Sequence, residues 1–228
     1  MGQKIHPQGF RLGPVFTWSS RWYADRKRYS DFLLQDIEVR QRLFARLKPA
    51  GLAHVEIERS INKVKITLHV SRPGVVIGRG GSGLEEVKKF IESVLGERPA
   101  RSAPYEKGRL NAFDLGKTKV ELVVEPVKEP NLNAYLVAVM ISDQLAKRFP
   151  HKRACNQALE RVMAAGAKGV RIALAGRIAG AEIARREKYK AGSVPLSTIR
   201  EEIDYAEVPA LTKSGYVGIK VWICKKSQ

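Results

Sequence analysis

Residues 72–91 read RPGVVIGRGGSGLEEVKKFI, and this stretch decides the fold of the first half of the chain. Its glycines Gly78, Gly80 and Gly83 fit the G-x-G-x-x-G pattern of a dinucleotide-binding turn. The same residues also contain a G-x-x-G loop, Gly78-Arg79-Gly80-Gly81, of the kind that grips a nucleic-acid backbone. The first interpretation predicts an enzyme, and the second predicts an RNA-binding protein.

The neighbouring sequence argues against a dinucleotide site. Such a site needs a buried parallel strand before the glycines and an acidic residue about 20 positions later, at the end of the next strand. Here Pro73-Gly74 directly precedes the short VVI segment, and the next convincing strand begins only after residue 117. The mixed apolar and charged neighbours of VVI also differ from the continuous apolar run of a parallel core strand.

The order of the predicted elements favours the nucleic-acid interpretation. Alternating apolar residues predict two half-buried strands, around 55–58 and 64–70, that form a hairpin. A short helix at 72–77, the glycine loop, a second helix at 82–95 and a strand at 118–126 follow. This is the element order of a KH domain, a module that binds single-stranded nucleic acid.

The glycine loop carries the predicted RNA contacts of this domain, which are Gly78, Arg79, Gly80 and Gly81. Small residues let backbone N–H groups approach phosphates closely, and the positive end of the following helix points toward the same anion. In a KH domain such a loop clamps about four nucleotides of backbone. Residues 75–77 either form the floor of the adjacent apolar groove or belong to the core, and both interpretations stay open.

Capping patterns predict where two helices begin. Ser82, with Glu85 three residues later, predicts a capping box at the helix that follows the loop. Ser30-Asp31 predicts the start of an earlier helix. The apolar face of that earlier helix would contain Leu33, Ile37, Phe44 and Leu47.

The charge of the chain predicts a polyanionic partner. Its 228 residues include 41 Lys and Arg against 23 Asp and Glu, giving a net charge of +18. Such a field attracts nucleic acid, whereas membrane-surface proteins usually concentrate their excess in one basic amphipathic helix. No apolar run approaches the roughly 18 residues that span a bilayer, and the opening MGQKIHPQGF lacks the apolar segment of a secretory signal. We therefore expect no membrane partner.

The first 30 residues combine basic and aromatic side chains with poor hydrophobic periodicity. A segment of this composition can lie along a phosphate backbone and stack on bases. The interpretation as an RNA-binding arm is favoured over a solvated tail with one aromatic anchor. Its predicted contacts are Lys4, Arg11, Arg21 and Trp22.

The spacing of reactive residues does not predict an enzyme. The four histidines show no Ser/His/Asp, Cys/His or metal-ligand spacing, and Cys155 and Cys224 are interpreted as reduced packing thiols. Glu201, Glu202 and Asp204 could in principle hold magnesium, but REEIDY at 200–205 is better interpreted as an exposed strand with alternating side chains. We predict no catalytic residue, no metal, no cofactor and no small-molecule substrate.

The second half of the chain begins at a predicted domain joint, marked by Pro126 and Pro130. Apolar residues at helical spacing predict helices at about 132–149 and 151–165. Short strands follow, including 170–174 and 216–224.

Five motifs spread over nearly the whole chain resemble bacterial-type small-subunit ribosomal protein three, in the same order as in that family. They are MGQKIHPQGFRLG (1–13), RPGVVIGRGGSGLEEV (72–87), AKGVRIALAGRIAGAEIARRE (167–187), VPLSTIREEIDY (194–205) and GYVGIKVWI (215–223). The resemblance implies an α+β fold, in which a type-II KH domain is followed by a second α/β domain with two helices and a mostly antiparallel sheet. The implied divisions are a basic arm at 1–16, the KH domain at 17–129 and the C-terminal domain at 130–228.

The resemblance also implies a function. It implies a structural protein of the small ribosomal subunit in the cytoplasm, bound to the 3′ head domain of the ribosomal RNA and next to small-subunit proteins ten and fourteen. It further implies a position at the channel by which messenger RNA (mRNA) enters the subunit. The family's adjacent basic pair in that channel matches Lys152 and Arg153, and Lys147 and Arg148 lie just before it.

Local chemistry offers a simpler interpretation of these four cations, as a solvated helix end in which Lys147 and Arg148 favour the negative C-terminus of their helix. The sequence also departs from the family at two points. Asn156 and Gln157 stand where further basic residues are expected, which weakens the charge of the channel. An insertion at about 97–117 is longer than the usual connection, and its basic and aromatic residues suggest RNA contact, although a tolerated surface loop is the simpler assumption.

A second non-enzymatic function is compatible with the same features. A free KH-type RNA chaperone or regulator would share the basic field and the glycine loop. It would not require a C-terminal domain shaped to a fixed ribosomal site. The two functions differ in whether the protein is stoichiometric with small subunits.

Overall fold

The computed structural model describes residues 4–60, 63–96 and 119–226. The predicted insertion at 97–117 and the predicted turn near Asn62 lie outside the described residues. The chain forms two compact units, Trp18–Lys128 (the KH unit) and Met1–Thr17 together with Glu129–Gln228 (the C-terminal unit). The segment predicted as a separate arm at 1–16 thus groups with the C-terminal unit.

The elements are numbered here in chain order. The helices are α1 (Pro7–Phe10), α2 (Arg26–Arg46), α3 (Pro73–Ile77), α4 (Ser82–Gly96), α5 (Ala134–Ala146) and α6 (His151–Ala164). The strands are β1 (Ser20–Arg21), β2 (Leu52–Ser60), β3 (Lys63–Val70), β4 (Lys119–Pro126), β5 (Gly169–Gly176), β6 (Arg185–Gly192), β7 (Ile203–Thr212) and β8 (Gly215–Cys224).

The KH unit contains a mixed sheet in the order β1-β2-β3-β4. The predicted hairpin is confirmed, because β2 and β3 pair antiparallel with Ile57 opposite Ile66, and β4 then adds parallel to β3. Alternation along β2 and β3 buries one apolar set against α2 and α4, as a period of two requires. The element order therefore confirms the KH arrangement. The loop between α3 and α4 is positioned by the packing of these helices on the sheet.

Helix α2 differs from its predicted start and its predicted apolar face. It begins at Arg26 with Asp25 as its N-cap residue, five residues before Asp31. Leu33 and Ile37 are 39% and 41% exposed, whereas Asp36 is fully buried. The physical reason is an internal ion pair: Arg59 Nη2 donates to Asp36 Oδ1 at 2.6 Å, and that pair turns the Asp36 face of the helix inward.

The start of α4 also differs from its prediction in one detail. The helix begins at Ser82 as expected, but the Ser82 hydroxyl donates to the carbonyl of Arg79 at 3.1 Å. Ser82 has helical backbone angles (φ −57°, ψ −35°), so it is the first helical residue and not the N-cap residue that the predicted capping box requires, and its hydroxyl ties the glycine loop to the helix.

The C-terminal unit contains a fully antiparallel sheet in the order β6-β5-β8-β7. Helices α5 and α6 contribute apolar side chains such as Ile141 and Val162 to one core with Ile172 and Ile219 of the sheet. This confirms the prediction of two helices and a mostly antiparallel sheet. Helix α5 is shorter than predicted, because it ends at Ala146 rather than near residue 149.

Two sequence predictions in the C-terminal unit have different outcomes. Cys155 and Cys224 are buried free thiols, as predicted, and burial raises the pKa of Cys155 to about 12 and that of Cys224 to about 11. The exposed position predicted for Asp204 is wrong. Its carboxylate accepts hydrogen bonds from the Ala134 N–H at 2.7 Å and from Gln8 Nε2 at 2.8 Å, and burial raises its pKa. Asp204 thus anchors the start of α5, a role that its local sequence does not reveal.

Candidate nucleic-acid interface

The glycine loop of the KH unit is built on close backbone packing at its first glycine. Gly78 ends α3 with φ 70° and ψ −177°, a conformation open essentially to glycine alone. A Cβ at Gly78 would lie 2.9 Å from the backbone nitrogen of Gly83. A Cβ at Gly83 would in turn lie 2.5 Å from the carbonyl oxygen of Val76. These glycines let α3 and α4 approach each other and fix the shape of the loop between them.

The tip of the loop is open to solvent. A Cβ at Gly80 or Gly81 would meet no atom within 4 Å, so no side chain stands above the backbone there. Both residues have positive φ, 63° and 84°, and the neighbouring Arg79 is exposed. The positive end of the 15-residue helix α4 directly follows this tip. Bare backbone N–H groups, a helix N-terminus and one guanidinium therefore share one surface, and this combination suits a phosphate.

The three apolar residues before the loop divide between core and surface. Val76 is buried and packs in the core of the KH unit, while Val75 and Ile77 are 56% and 39% exposed. Val76 therefore belongs to the core, and the groove interpretation stays a prediction for Val75 and Ile77. Val75 and Ile77 leave an apolar surface exposed beside the tip of the glycine loop.

The predicted N-terminal contacts divide between the two units. Lys4 is exposed, whereas Arg11 is fully buried in the C-terminal unit. The Arg11 guanidinium donates to the carbonyls of Pro7, Leu196, Thr198 and Glu201 at 2.8–3.0 Å. Because these donors are used inside the protein, we assign Arg11 to the packing of the first segment rather than to RNA.

Arg21 and Trp22 belong to the KH unit. Arg21 lies 3.1 Å from Glu58 and 3.7 Å from Glu56 on the neighbouring strand β2. The Trp22 indole N–H donates to Asp36 at 2.8 Å, and its ring contacts Phe32 edge to face. Arg21 thus ties β1 to β2, and Trp22 ties the segment after β1 to α2, so an RNA contact at either position would be an additional role.

The four cations predicted at the mRNA channel lie around one turn. Lys147 and Arg148 follow the end of α5, Lys152 and Arg153 lie in the first turn of α6, and all four are exposed. The Arg148 N–H bonds to the Leu145 carbonyl and the Phe149 N–H to the Gln144 carbonyl, which is the hydrogen-bond pattern of a Schellman motif. The structure thus brings the predicted residues together on one surface of the C-terminal unit.

Side-chain contacts tie this turn to the sheet. The Arg153 guanidinium lies 5.8 Å from the centroid of the Phe149 ring. His151 Nε2 lies 3.1 Å from a carboxylate oxygen of Glu187 on β6. The hydroxyl of Tyr189 donates to that same carboxylate, and this bond, aided by the charges of His151 and Arg185, lowers the pKa of Glu187. The Glu187 carboxylate therefore links the start of α6 to β6.

Two further cations near this turn were missed by the sequence analysis. Arg177, just after β5, and Lys213, in the turn between β7 and β8, line one cavity together with Arg148. The three residues come from three distant parts of the sequence, so no motif or spacing connects them.

Comparison with known proteins gives two family matches. Residues 38–132 match the KH domain, and residues 141–223 match "Ribosomal protein S3, C-terminal domain". The small ribosomal subunit protein uS3 of Carboxydothermus hydrogenoformans is 40% identical over 99% of this chain and 92% of its own length. The uS3 proteins of Hydrogenovibrio crunogenus and Persephonella marina are each 44% identical over 99% of this chain and 90% of their own length.

The chain belongs to the uS3 family. This membership confirms the resemblance found in the sequence and the order of a KH domain followed by a C-terminal S3 domain. It also confirms that the protein is not an enzyme, since uS3 is a structural ribosomal protein. In the described residues, no helix is long and apolar enough to cross a membrane, and no group of three or more His, Cys, Asp or Glu side chains is placed to hold a metal ion.

Proposed function

We propose that this uS3 protein is a structural component of the small ribosomal subunit that binds the ribosomal RNA of the subunit head and borders the channel by which mRNA enters. The observation that carries the proposal is the similarity to uS3 proteins over 99% of the chain. The net charge of +18 supports an RNA partner, because phosphates attract such a field. The location implied is the cytoplasm, within assembled subunits.

The KH loop is one proposed RNA contact. Its open tip at Gly80 and Gly81, the exposed Arg79 and the N-terminus of α4 suit one phosphate backbone. Val75 and Ile77 offer apolar surface for the bases. Because backbone groups make most of these contacts, the loop would bind with little base specificity.

The turn between α5 and α6 is the proposed mRNA contact, through Lys147, Arg148, Lys152 and Arg153. Its second pair supports this role physically. Cations in the first turn of a helix oppose the positive end of the helix dipole, and the first turn of α6 contains no acidic residue. The Glu187 carboxylate of β6 offsets part of this cost, and the exposed side chains of Lys152 and Arg153 suit a further, external anion.

Protein neighbours are a further part of the proposal, with small-subunit proteins ten and fourteen as the expected ones. A stripe of exposed apolar side chains on α2, Tyr29, Leu33 and Ile37, follows the spacing of successive helical turns. Tyr29 contacts the Trp22 ring at 5.3 Å, and the exposed apolar area of Leu33 and Ile37 supports contact with another protein.

Sucrose-gradient sedimentation of the tagged protein from cells, before and after a high-salt wash, tests the proposal. We expect about one copy per small subunit that resists the wash. If most of the protein stays at the top of the gradient, the alternative of a free KH-type RNA chaperone or regulator replaces the ribosomal function. For the bare protein, affinity for ribosomal RNA should fall steeply with salt, and a flat response would contradict a phosphate-dominated interface.

The mRNA contact needs a separate test in assembled subunits. Subunits carrying Lys152→Glu with Arg153→Glu should bind mRNA more weakly and progress more slowly through structured mRNA, while incorporation of the protein stays normal. A matched control reverses two cations of β6, Lys188→Glu with Lys190→Glu. Equal effects from both pairs would remove the case for a specific contact at the turn.

A further inference from the structure

The C-terminal unit contains a cavity that none of the predicted motifs explains. It has a volume of about 420 Å³, within the roughly 300–1,000 Å³ of small-ligand sites. Three segments form its wall: the α5–α6 turn, the connection after β5, and the turn between β7 and β8. All three belong to one compact unit, so the cavity is a fixed feature of the C-terminal fold.

The charged side chains that line this cavity are all cations. Arg148, Arg177 and Lys213 line it, and none of its lining residues is acidic. In the described part of the chain, none of these three cations forms an ion pair with a carboxylate. The N-terminus of the 14-residue helix α6, at Pro150 and His151, also lies in the wall and adds partial positive charge. Such a concentration of positive charge selects for an anion.

The backbone around the cavity is held in costly conformations. Among the described residues, Arg148 and Ala179 are the two non-glycine residues with positive φ, 60° and 57°, and both line this cavity. The Schellman position of Arg148 is one where glycine is the usual residue. Strained residues of this kind cluster at binding sites, because the surrounding fold must hold them in place. An arginine kept where glycine fits better indicates that its side chain is needed.

The cavity also contains an aromatic surface. Phe149 lies in its wall between the cations of the turn, and the Arg153 guanidinium stands over the Phe149 ring. A ring next to a cluster of cations can stack a base while the cations bind the adjoining phosphate. An acidic protein segment would use the cations but would leave the ring without a matching partner.

We propose that this cavity binds one nucleotide of a single-stranded RNA, with its phosphate between Arg148, Arg177 and Lys213 and its base against Phe149. This inference rests on the proposed function and adds a specific pocket to the exposed cations of the α5–α6 turn. Arg177 has a second task in the pocket, because its Nε donates to the Ala181 carbonyl at 2.9 Å and orients the side chain. Lys213 and Phe149 are therefore the cleaner positions for testing.

The experiment measures binding of a short fluorescein-labelled oligouridylate to the full chain by fluorescence anisotropy over a range of salt concentrations. All variants carry Arg79→Asp with Gly80→Asp, so that the KH loop does not contribute. Lys213→Ala should weaken binding several-fold and reduce the slope of log K against log salt by about 0.7, the value for one phosphate contact to a single strand. Lys190→Ala, which removes an exposed cation of β6 that does not line the cavity, is the matched control and should change the slope less.

Phe149→Leu separates stacking from charge. It should weaken binding by about tenfold, as expected for one stacked base, and leave the salt slope unchanged. Hydrogen exchange of β5 and β8 peptides checks that each variant keeps its fold.

The proposal is overturned if Lys213→Ala and Lys190→Ala have the same RNA affinity and the same slope of log K against log salt. An acidic protein segment would then be the better candidate ligand for the cavity. It is also overturned if Phe149→Leu binds RNA as tightly as its parent. Because sedimentation with small subunits uses the wild-type protein, either result would leave the proposed ribosomal function standing.

Discussion

The two proposed RNA sites are made in opposite ways. The KH loop offers backbone, since Gly80 and Gly81 leave the N–H groups bare and α4 adds its positive end. The cavity of the C-terminal unit offers side chains, Arg148, Arg177 and Lys213, on a scaffold of turns. The first site depends on the absence of Cβ atoms over a few consecutive residues. The second depends on a tertiary fold that brings distant residues together.

This difference predicts which kind of substitution should abolish binding at each site. A backbone site fails when added atoms push its helices apart, even if no charge changes. A side-chain site fails when a charge is lost or when the scaffold beneath it loosens. Measurements of unfolding free energy and of RNA affinity on the same variants separate these two kinds of failure.

The largest effect is expected from loosening the C-terminal scaffold through Arg11→Met. The change removes five hydrogen bonds from the guanidinium to backbone carbonyls, four at 2.8–3.0 Å and one to Pro195 at 3.4 Å. Each such bond is worth about 1.5–3 kcal/mol when charge-assisted, and some of the carbonyls would regain water, so we expect a loss of roughly 3–5 kcal/mol. Urea unfolding followed by circular dichroism measures the total loss of stability.

Hydrogen exchange distinguishes the unit affected by Arg11→Met. Peptides of β5 and β8 should exchange faster, while those of β2 and β3 in the KH unit should not change. Arg200→Met is the matched control, because Arg200 is exposed in the same connection between β6 and β7. It should change stability by less than about 0.5 kcal/mol. Equal effects of the two variants would contradict the buried role assigned to Arg11.

The next largest effect is expected at the backbone packing of the KH loop. In Gly83→Ala, the new methyl group would lie 2.5 Å from the Val76 carbonyl oxygen, so α3 and α4 must separate. Overpacking of this kind costs about 1–3 kcal/mol, more than the roughly 1 kcal/mol that alanine returns as a better helix former. Hydrogen exchange of α3 and α4 peptides and urea unfolding measure the result.

Gly74→Ala provides the matched control for Gly83→Ala. A Cβ at Gly74 would meet no atom within 4 Å, and the residue lies in α3 without a positive φ. It should be neutral or slightly stabilising. A neutral Gly83→Ala would mean that the loop does not depend on close helix packing.

These two sites also mark how far sequence reasoning reaches. Alternation along β2 and β3 and the glycines at 78–83 specify the KH unit locally, and the same residues form the loop in space. The core strands and helices of the C-terminal unit follow from apolar spacing in the same way. Sequence order therefore predicts both folds and the residues of the glycine loop, although it does not separate core from surface at 75–77 and predicts a capping box at Ser82 that does not form.

The remaining features could not be predicted, because each depends on a distant partner. Asp36 lies on the inner face of α2 only because Arg59 arrives from β2. Asp204 is partly buried because Gln8 and the start of α5 meet it. Arg177 and Lys213 come near Arg148 through strand pairing across the sheet. No local pattern contains these pairings.

A third prediction concerns a double substitution that should change the RNA affinity of the KH loop without changing the packing of α3 against α4. Arg79→Asp with Gly80→Asp places negative charge at the proposed phosphate contact, and aspartate tolerates the left-handed backbone at Gly80. We expect single-stranded RNA binding to weaken by about tenfold, or ~1.4 kcal/mol. The free energy of unfolding should fall by no more than about 1 kcal/mol, the cost of aspartate at the positive φ of Gly80. Fluorescence anisotropy measures the RNA affinity of the full chain, in which the C-terminal unit is left unchanged.

The control for this variant must carry the same change of charge. Arg26→Asp with Ser30→Asp also lowers the net charge of the KH unit by three, at exposed positions near the start of α2. It should reduce affinity less than the loop variant. If ribosomal RNA binding survives the loop variant unaltered, the C-terminal unit is the anchor in assembly and the KH loop serves another RNA.

The smallest effect has the opposite sign and sharpens the contrast between the two sites. Arg148→Gly should stabilise the C-terminal unit, because it relieves a left-handed backbone at φ 60°. That conformation costs a non-glycine residue about 1–2 kcal/mol, and the greater freedom of glycine in the unfolded chain takes back roughly 0.5–1 kcal/mol. Lys147→Gly, one residue earlier with φ −78°, should instead destabilise by about 0.5–1 kcal/mol.

Arg148→Gly should lower the RNA affinity while it raises the free energy of unfolding, and these opposite effects are the informative result. It would mean that Arg148 is kept for its charge although the backbone at this position favours glycine. The KH loop is the reverse case, because its glycines expose the backbone N–H groups and contribute no side chain. Urea unfolding and the oligouridylate assay on the same two variants decide the matter. A stabilised Arg148→Gly with full RNA affinity would leave the left-handed arginine without a role in binding and would restrict the C-terminal contact to Lys152 and Arg153.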